Sequence, residues 1–385
     1  MYIKRLEESN LEKLLSDNKV LVILGARQVG KTTLIKHLLR EKVAVFFNFD
    51  IDVDVSRFFS LTSLPPIDAL KSLNNPKFIV IDEAQRKPEV FGVVKGWYDS
   101  GLPVKVIVLG SSSADIAGYS AESLIGRSHK ITLQTLTFRE VLSVQSWYNP
   151  MLETDALLAN FQRQLSEILM QSIVFGNYPE VVLSGDKGAI VNGLASDYLL
   201  KDVLQLGLVK DPEIIRKLTM LLAGQIGSLV SVSELSTTLG IARQTVERYI
   251  SLLERTFVIF RLNALSTNPR KEINKSQKIY FWDTGIRNAV LGDFSLNANR
   301  ADMGHLWENW VISEFAKSIL IEESLSKLYF WRSRAGSEVD LVVKNGEELK
   351  AFEIKWGKGG RASRAFEEAY GVKPKLVHSS NPLFN

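Results

Sequence analysis

The sequence predicts an α/β protein whose N-terminal domain is built on a parallel sheet. Two observations predict this fold. An apolar strand, Val20–Leu24, runs into Gly-x-x-x-x-Gly-Lys-Thr, and apolar residues then recur at helical spacing over Leu34–Arg40. A second apolar run, Phe78–Ile81, ends in the paired carboxylates Asp82 and Glu83. We therefore expect a strand–loop–helix phosphate site with an acidic strand end nearby.

The glycine-rich loop has the Walker A pattern. Gly25 and Gly30 let main-chain amides turn toward phosphate oxygens, and the helix that follows adds the positive end of its dipole. In this pattern Lys31 bridges the β- and γ-phosphates of ATP, and the Thr32 hydroxyl ligates Mg²⁺. The residues predicted to bind the nucleotide are Gly25, Ala26, Arg27, Gln28, Val29, Gly30, Lys31, Thr32 and Thr33.

The second strand end has the Walker B form. A central strand would carry Asp82 to the edge of the sheet, where it can hold Mg²⁺ through water. Glu83 is suited to orient and deprotonate the water that attacks the γ-phosphate. Because this base is a carboxylate beside Asp82, we expect ATP hydrolysis and not binding alone. An acidic strand end that only caps the next helix is the alternative.

Two further residues are candidates for catalysis. The strand Val104–Gly110 ends at Ser111, which would lie between the Walker elements and reach the γ-phosphate or the water. Arg127, in Leu-Ile-Gly-Arg, is a candidate arginine finger for the ATP of a neighbouring subunit. An ordinary turn serine and a surface arginine are the alternatives.

Composition limits the class of protein. A chain of 385 residues has room for two or three domains, and 45% apolar with 23% charged residues is typical of globular proteins. The absence of cysteine excludes disulfides, thiolate zinc sites and a cysteine nucleophile. The apolar runs are shorter than a membrane span of about 20 residues, and the N-terminus is charged, so we expect a soluble, cytoplasmic protein. A net charge of +4 permits a nucleic-acid partner.

The middle of the chain predicts helices followed by a helix-turn-helix. Residues 151–222 have helical periodicity, and Ser231–Gly240 and Ile241–Arg255 form the pair of helices. Phe257–Leu265 and Lys278–Trp282 would supply the strands of a wing. The predicted DNA contacts are Arg243, Gln244, Thr245 and Arg248 in the major groove and Arg270, Lys271, Lys275 and Lys278 on phosphates. A module that packs against protein is the alternative.

The last 80 or so residues contain a third pattern. The predicted order is helix, three strands, helix, strand, and it carries Asp340 and a Glu353-x-Lys355 pair. This order resembles the core of PD-(D/E)XK nucleases. Asp340 and Glu353 would share a divalent cation that Glu308 supports, and Lys355 would stabilise charge developing on phosphate. A structural remnant that binds DNA ends or a partner is the alternative.

The chain as a whole resembles a family of bacterial and archaeal AAA-type ATPases with a C-terminal domain of unknown function. The resemblance rests on GARQVGKTTL, FIVIDEAQ, Leu136–Glu140, Phe175–Glu180 and Ile279–Gly285. It implies a P-loop AAA-type core at 1–148, a helical lid at 149–225, a winged helix at 226–298 and a restriction-endonuclease-like α/β domain at 299–385. It also implies that Tyr178 and Pro179 lie near the adenine and that the protein forms a homo-oligomer, such as a hexamer.

The predicted function is a Mg²⁺-dependent ATPase that couples hydrolysis to binding and remodelling DNA, in repair, branched-DNA processing or defence. One alternative is an ATP-dependent regulatory switch that acts on a protein partner. Another is an ATP-gated nuclease. Salt-dependent DNA binding separates the first and third functions from the second.

Overall fold

The computed structural model describes residues 1–111, 124–197, 211–266, 277–357, 359–360 and 362–383. The chain divides into two compact units. The first is Met1–Gln134 with Arg255–Phe257, and the second is Thr135–Glu254 with Val258–Asn385. Residues 135–148, expected in the first domain, belong to the second unit. The boundaries expected at residues 148, 225 and 298 stay predictions.

The first unit is built on a parallel sheet, as expected from apolar strands that alternate with helices. Its strands are β1 Val20–Leu24, β2 Ala44–Asn48, β3 Phe78–Asp82, β4 Lys105–Gly110 and β5 Ser128–Thr132. Its helices are α1 Glu8–Leu15, α2 Lys31–Leu38, α3 Asp52–Ser60, α4 Pro66–Ser72 and α5 Val90–Asp99. Within the described residues the strand order is β2-β3-β4-β1-β5, and every neighbouring pair is parallel.

This strand order brings the predicted motifs to one edge of the sheet. Strand β4 lies between β1 and β3, as the sequence predicted for the strand that precedes Ser111. The carboxyl ends of parallel strands meet at the same edge, which is where α/β proteins bind ligands. The glycine-rich loop, Asp82 and Ser111 therefore face the same region.

An aromatic core supports this sheet. The ring of Phe58 lies 5.3 Å from that of Phe47 on β2 and 5.5 Å from that of Trp97 on α5. All three side chains are buried. Helix α3 is therefore fixed between a strand and a second helix, and the sheet has a rigid backing.

The second unit has helices before and between the strands of a mixed sheet. Its helices are α6 Phe138–Ser143, α7 Thr154–Phe175, α8 Pro179–Leu183, α9 Lys187–Asp197, α10 Pro212–Gly224, α11 Val232–Leu239, α12 Arg243–Arg255, α13 Thr284–Leu291, α14 Met303–Ile321 and α15 Arg364–Tyr370. Its strands are β6 Leu229–Val230, β7 Ile259–Ala264, β8 Gln277–Phe281, β9 Lys327–Arg332, β10 Glu338–Asn345, β11 Glu348–Lys355 and β12 Lys375–His378. In the described part of the unit they run β12-β11-β10-β9-β7-β8-β6.

The pairing of β7 with β9 joins two regions that the sequence treated separately. Strands β6, β7 and β8 come from the predicted winged helix, and β9 to β12 come from the predicted nuclease-like domain. Strands β7 and β9 are parallel, with Asn263 opposite Tyr329 and Ala264 opposite Phe330. The two regions therefore share one sheet.

The family motifs at Phe175–Glu180 and Ile279–Gly285 pack against each other. The buried carboxylate of Asp283 accepts hydrogen bonds from the Asn177 and Gly285 amides, at 2.8 and 2.9 Å. A Cβ on Gly176 would clash with that carboxylate, and a Cβ on Gly285 would clash with the Phe175 carbonyl. Burial raises the pKa of Asp283, against the effect of Lys317 and these amides. These motifs hold the backbone together in this unit.

Helix α14 carries a buried ion pair that holds the segment before α6. Glu314 and Lys317 lie 3.0 Å apart; Glu314 accepts from the Phe138 amide and Lys317 donates to the Leu136 carbonyl.

No helix among the residues described here is both long enough and apolar enough to cross a membrane.

Candidate nucleotide site and a carboxylate–lysine cluster

The glycine-rich loop has the backbone that a phosphate cradle requires. Gly25 has a φ of 156°, and a Cβ there would clash with the Leu133 carbonyl. Gly30 adopts the left-handed conformation, with a φ of 97°, and caps α2, whose first residue is Lys31. Both positions require glycine, so the sequence motif reflects the local backbone.

The ammonium group of Lys31 lies inside the loop. Its side chain is buried, and Nζ donates to the carbonyls of Gly25 and Ala26 at 2.8 Å each. The loop therefore places a positive charge next to its own main chain, where phosphate oxygens would bind.

Thr32 and Asp82 form the part of the site that fits Mg²⁺. The Thr32 hydroxyl donates to Asp82 Oδ2 at 2.6 Å, and Asp82 Oδ1 accepts from the Glu83 amide at 3.0 Å. Both are hard oxygen donors, and Mg²⁺ takes few protein ligands beside phosphates and waters. No group of three or more His, Cys, Asp or Glu side chains suited to a metal occurs within the described ranges. The pair therefore fits a cation held jointly with a nucleotide.

Glu83 lies next to Asp82 in a conformation that is rare for this residue. Its φ is 54°, in the left-handed region, where a residue with a side chain is strained. Its carboxylate accepts from Gln85 Nε2 at 2.5 Å and lies 3.9 Å from the Arg27 guanidinium. Gln85 Nε2 also lies 2.9 Å from the hydroxyl of Ser111, which is buried.

Gln85 is the site residue that sequence reasoning missed. It belongs to the FIVIDEAQ segment, two residues after the proposed base, but glutamine carries no charge and the Walker B pattern assigns it no role. The signal that could have identified Gln85 is its position in the sequence, because a residue two positions after Glu83 in a tight turn can contact the Glu83 side chain. The serines at 112 and 113 lie outside the described residues.

Arg127 lies at the opposite edge of the first sheet. Its carbonyl accepts from the Val20 amide, at the start of β1, whereas the glycine-rich loop follows the end of β1. The guanidinium binds Asp99 through Nε at 2.6 Å and Nη2 at 3.2 Å. Hydrogen bonding from Arg127 lowers the pKa of Asp99. Arg127 cannot reach the loop of its own unit, so a role toward a neighbour's ATP stays a prediction.

Tyr178 and Pro179 belong to the second unit. Pro179 is the first residue of α8, and the Tyr178 ring is buried. Their contact with an adenine stays a prediction.

The predicted DNA-binding helix exposes most of the residues assigned to it. Arg243, Gln244 and Arg248 on α12 are exposed, and Thr245 is half-buried. The opposite face, through Val246, Ile250 and Leu253, is buried. The wing residues Arg270, Lys271 and Lys275 lie outside the described residues.

The prediction for Lys278 is wrong. Its side chain is only 3% exposed, and Nζ forms ion pairs with Glu308 at 3.2 Å and Glu338 at 2.5 Å. It also lies 5.5 Å from the centroid of the Phe330 ring. Sequence reasoning treated it as part of a basic loop, but as a member of β8 it faces the interior, where it has no access to a DNA phosphate.

Lys278 belongs to a group that we call the carboxylate–lysine cluster. The cluster consists of Glu308, Glu338, Asp340, Glu353, Lys278 and Lys355. Lys355 Nζ lies 3.0 Å from Asp340 and 3.3 Å from Glu353. Asp340 also accepts from the Ile354 amide at 2.7 Å. The structure thus brings together Asp340, Glu353 and Lys355, as predicted for adjacent strands.

Glu308 contacts a different part of the cluster. It accepts from the Tyr280 hydroxyl at 2.6 Å and from Lys278. Burial raises the pKa of Glu308, and Asp340 adds to the effect. Burial likewise raises the pKa of Glu353, again with Asp340 contributing. For Lys278, burial opposes the charge, but the attraction of Glu308 and Glu338 raises the pKa.

Comparison with family models divides the chain into three segments. Residues 17–142 match a model described as an AAA domain. Residues 166–297 and 303–381 match two models described as domains of unknown function, DUF8612 and DUF4143. The AAA match covers both the glycine-rich loop and the Asp82–Glu83 strand end.

Relatives that match nearly all of this chain occur in bacteria and archaea. An uncharacterized protein of Mycobacterium tuberculosis is 30% identical over 373 residues, which cover 96% of this chain and 78% of that protein. The chain belongs to the family of this protein. An uncharacterized protein of Methanocaldococcus jannaschii is 26% identical over 375 residues, covering 94% of this chain and 80% of the relative.

A solved structure has a similar fold. The Walker-type ATPase of Pyrococcus abyssi aligns with a TM-score of 0.50 and 16% identity, over 75% of this chain and 96% of that one. The α/β fold with a P-loop ATPase domain is therefore confirmed, and the AAA domain lies where the Walker motifs predicted it.

Proposed function

We propose that the protein is a Mg²⁺-dependent ATPase that couples ATP hydrolysis to binding and rearranging DNA, as a homo-oligomer. The observation that carries hydrolysis is the 2.6 Å contact between Thr32 and Asp82, with Glu83 next in the chain. A protein that only held a nucleotide would not need a second carboxylate at that position.

Binding of ATP follows from the loop. The main-chain amides of Gly25–Gly30 and the N-terminus of α2 would surround the phosphates. Lys31 would exchange its bonds to the Gly25 and Ala26 carbonyls for bonds to the β- and γ-phosphates, which are stronger because both partners are charged. Thr32 and Asp82 would hold Mg²⁺, which would neutralise part of the negative charge of the phosphates.

Hydrolysis would use Glu83 as the general base. A water oxygen bonds to the γ-phosphorus as the bond to the β–γ bridging oxygen breaks, and the water's proton passes to the Glu83 carboxylate. ADP leaves with the electron pair of the broken bond. Lys31 stabilises the charge that develops on the transferred phosphoryl group.

The DNA part of the proposal is supported by α12 and its neighbours. The order α10, β6, α11, α12, β7, β8 is that of a winged helix, with β6 and β7 each antiparallel to β8. Ser231 caps α11, accepting from the Glu234 amide, and Gly240 ends it in the left-handed conformation. The exposed Arg243, Gln244 and Arg248 would then contact DNA. An AAA motor must pass any sequence, so we expect steep salt dependence with weak base preference.

Nuclease activity is the second candidate. The position of Lys355 between Asp340 and Glu353, together with the element order α14, β9, β10, β11, α15, β12, favours it. Its test is Mg²⁺-dependent cutting of DNA that is lost in Asp340→Ala.

The ATPase rate of the full chain, with and without DNA, tests the proposed function. Phosphate release would be measured with no DNA and with duplex, single-stranded and branched DNA, using Lys31→Ala protein as the control for contaminating ATPases. We expect turnover that at least one DNA form raises several-fold, with the largest effect from branched DNA. Turnover indifferent to every DNA form would contradict the coupling and support the regulatory switch. No turnover in any condition would contradict the ATPase itself.

A further inference from the structure

The side chain of Gln85 connects the proposed base to the end of the neighbouring strand. Its Nε2 lies 2.5 Å from Glu83 Oε2 and 2.9 Å from Ser111 Oγ. The connection crosses from β3 to β4, which are adjacent in the sheet. One amide group therefore touches both a carboxylate proposed for proton transfer and a hydroxyl proposed to sense the γ-phosphate.

The chemistry of the contacts fixes the orientation of this amide. An ionised carboxylate only accepts hydrogen bonds, so the atom facing Glu83 is the nitrogen. The two hydrogens of Nε2 then serve Glu83 and Ser111. The carbonyl Oε1 is buried and makes no hydrogen bond to any residue that the structure describes. An unpaired buried acceptor costs about 1–3 kcal/mol. The two donor bonds are therefore what hold the side chain in place.

The backbone supports the same arrangement. Glu83 is held at a φ of 54°, and the 3₁₀ turn Ala84–Arg86 follows at once. Ala84 is fully buried in the hydrophobic core, which anchors this turn. A strained conformation kept on a buried anchor suggests that the direction of the Glu83 side chain matters.

Asn48 offers a direct comparison. It ends β2, opposite Asp82 in the sheet register, so it is another amide beside the same strand end. Its Oδ1 accepts from the Asp50 amide at 3.0 Å, within its own turn. Gln85, and not the amide of β2, contacts Glu83.

We propose that Gln85 is a positioning residue for ATP hydrolysis, which links Ser111 to Glu83 and orients the carboxylate toward the attacking water. By engaging Oε2, it leaves Oε1 to receive the proton. Movement of Ser111 on contact with a γ-phosphate then changes the position of Glu83 through the shared amide. This inference rests on the proposed ATPase function.

An alanine substitution tests the role of Gln85. Gln85→Ala removes both bonds, and we expect kcat to fall about 10- to 100-fold, since small misplacement of a catalytic group has effects of this size. Affinity for a fluorescent ATP analogue should stay within twofold, because Gln85 does not contact the phosphate loop in the structure. A purely structural defect would lower affinity together with kcat.

Asn48→Ala is the matched control, and we expect its kcat to stay within twofold of the wild type. The double variant Gln85→Ala/Ser111→Ala should be no slower than the slower single variant, because both act through one connection. A Gln85→Ala protein with wild-type kcat would overturn the inference while leaving the ATPase intact. So would losses that multiply in the double variant. Absence of ATPase activity in the wild type would overturn the inference together with the proposed function.

Discussion

The P-loop site of the first unit and the carboxylate–lysine cluster of the second unit use the same residue types but pair them differently. In the P-loop site, Lys31 donates to two main-chain carbonyls and Asp82 accepts from a hydroxyl. In the cluster, each lysine lies between two carboxylates. Lys31 and Asp82 would bind a phosphate and Mg²⁺ more strongly than they bind neutral groups, because both partners are then charged. A nucleotide with Mg²⁺ would therefore strengthen the bonding in the first site. The cluster already contains its countercharges. The two sites therefore differ in how their lysines and carboxylates are paired, more than in residue type.

The largest expected effect is that of replacing Arg127. It tests whether the P-loop site is complete within one chain. If Arg127 acts on a neighbour's ATP, Arg127→Ala should keep nucleotide binding and lose about 10³-fold or more in kcat. Steady-state turnover and analogue binding measure the two properties. The wild-type rate per subunit should rise with protein concentration, because the active site forms between subunits.

Mixing variants sharpens this test. Arg127→Ala and Glu83→Gln proteins should regain part of the activity together, since one pairing joins an intact Glu83 to an intact Arg127. Asp99→Asn is the control, because it releases Arg127 from its partner without removing the guanidinium, and it should remain active. A rate from a monomer that does not depend on concentration would exclude the trans role.

The next effect concerns the cluster. Lys278→Met should lower the free energy of unfolding by about 3–5 kcal/mol near pH 8, because it leaves Glu308 and Glu338 without their buried cation. Burial already places the pKa of folded Glu308 above its unfolded value of 4.5. Stability from such a group is present below the unfolded value and is lost as pH rises through the folded value. The deficit of Lys278→Met should therefore shrink toward pH 5, as urea denaturation at both pH values would measure.

Lys187→Met provides the matched control for the cluster. Lys187 is also partly buried, but Nζ donates to the Val181 and Val182 carbonyls instead of carboxylates. The effect of this substitution should not vary between pH 5 and pH 8. A deficit in Lys278→Met that is equal at both pH values would contradict the electrostatic account of the cluster.

A smaller effect is expected for the cation in the loop. Lys31→Ala should weaken ATP binding about 100-fold, which corresponds to about 3 kcal/mol for removing two bonds from a charged donor to phosphate. Titration with a fluorescent ATP analogue would measure it. Lys36→Ala, on the exposed face of the same helix, should bind normally. An unchanged ATP affinity in Lys31→Ala protein would contradict the proposal that Lys31 in this loop binds phosphate.

The smallest effects concern DNA. Replacing Arg243 or Arg248 by alanine should weaken DNA binding several-fold on every sequence. Each cation removed from a DNA phosphate should also reduce the slope of log affinity against log salt by about 0.9. Replacing Arg270, Lys271 and Lys275 should act in the same way. Arg163→Ala, an exposed arginine of α7, is the control. High-affinity binding to one DNA sequence that single base changes abolish would indicate a transcription regulator instead.

The P-loop site was predictable because its residues occur in short contiguous motifs and its backbone demands specific residue types. Gly25, Gly30, Thr32 and Asp82 occur in two short motifs, and the parallel sheet necessarily brings the motifs together. Helix positions were also predictable in places: α11 follows a serine cap and ends at Gly240, and α12 begins shortly after that glycine.

What the sequence could not reveal depends on contacts between distant segments. Lys278 looked like a surface cation because its neighbours in the chain are basic, but β8 turns it toward Glu308, 30 residues away. The sequence around Arg127 does not indicate its hydrogen bond to Asp99, and the sequence around Gln85 does not indicate its hydrogen bond to Ser111. Pairing of β7 with β9 was hidden for the same reason, because register between strands far apart in the chain has no local signature.

The most direct test of the central claim is the turnover of Glu83→Gln protein, measured together with its affinity for ATP. Glutamine has the same shape as glutamate but cannot accept the proton, so phosphate release should fall by about 10²–10⁴-fold while ATP affinity stays within twofold. Glu89→Gln, which alters an exposed carboxylate shortly after it, should behave as the wild type. Hydrolysis by Glu83→Gln protein at the wild-type rate would contradict the assignment of Glu83 as the base.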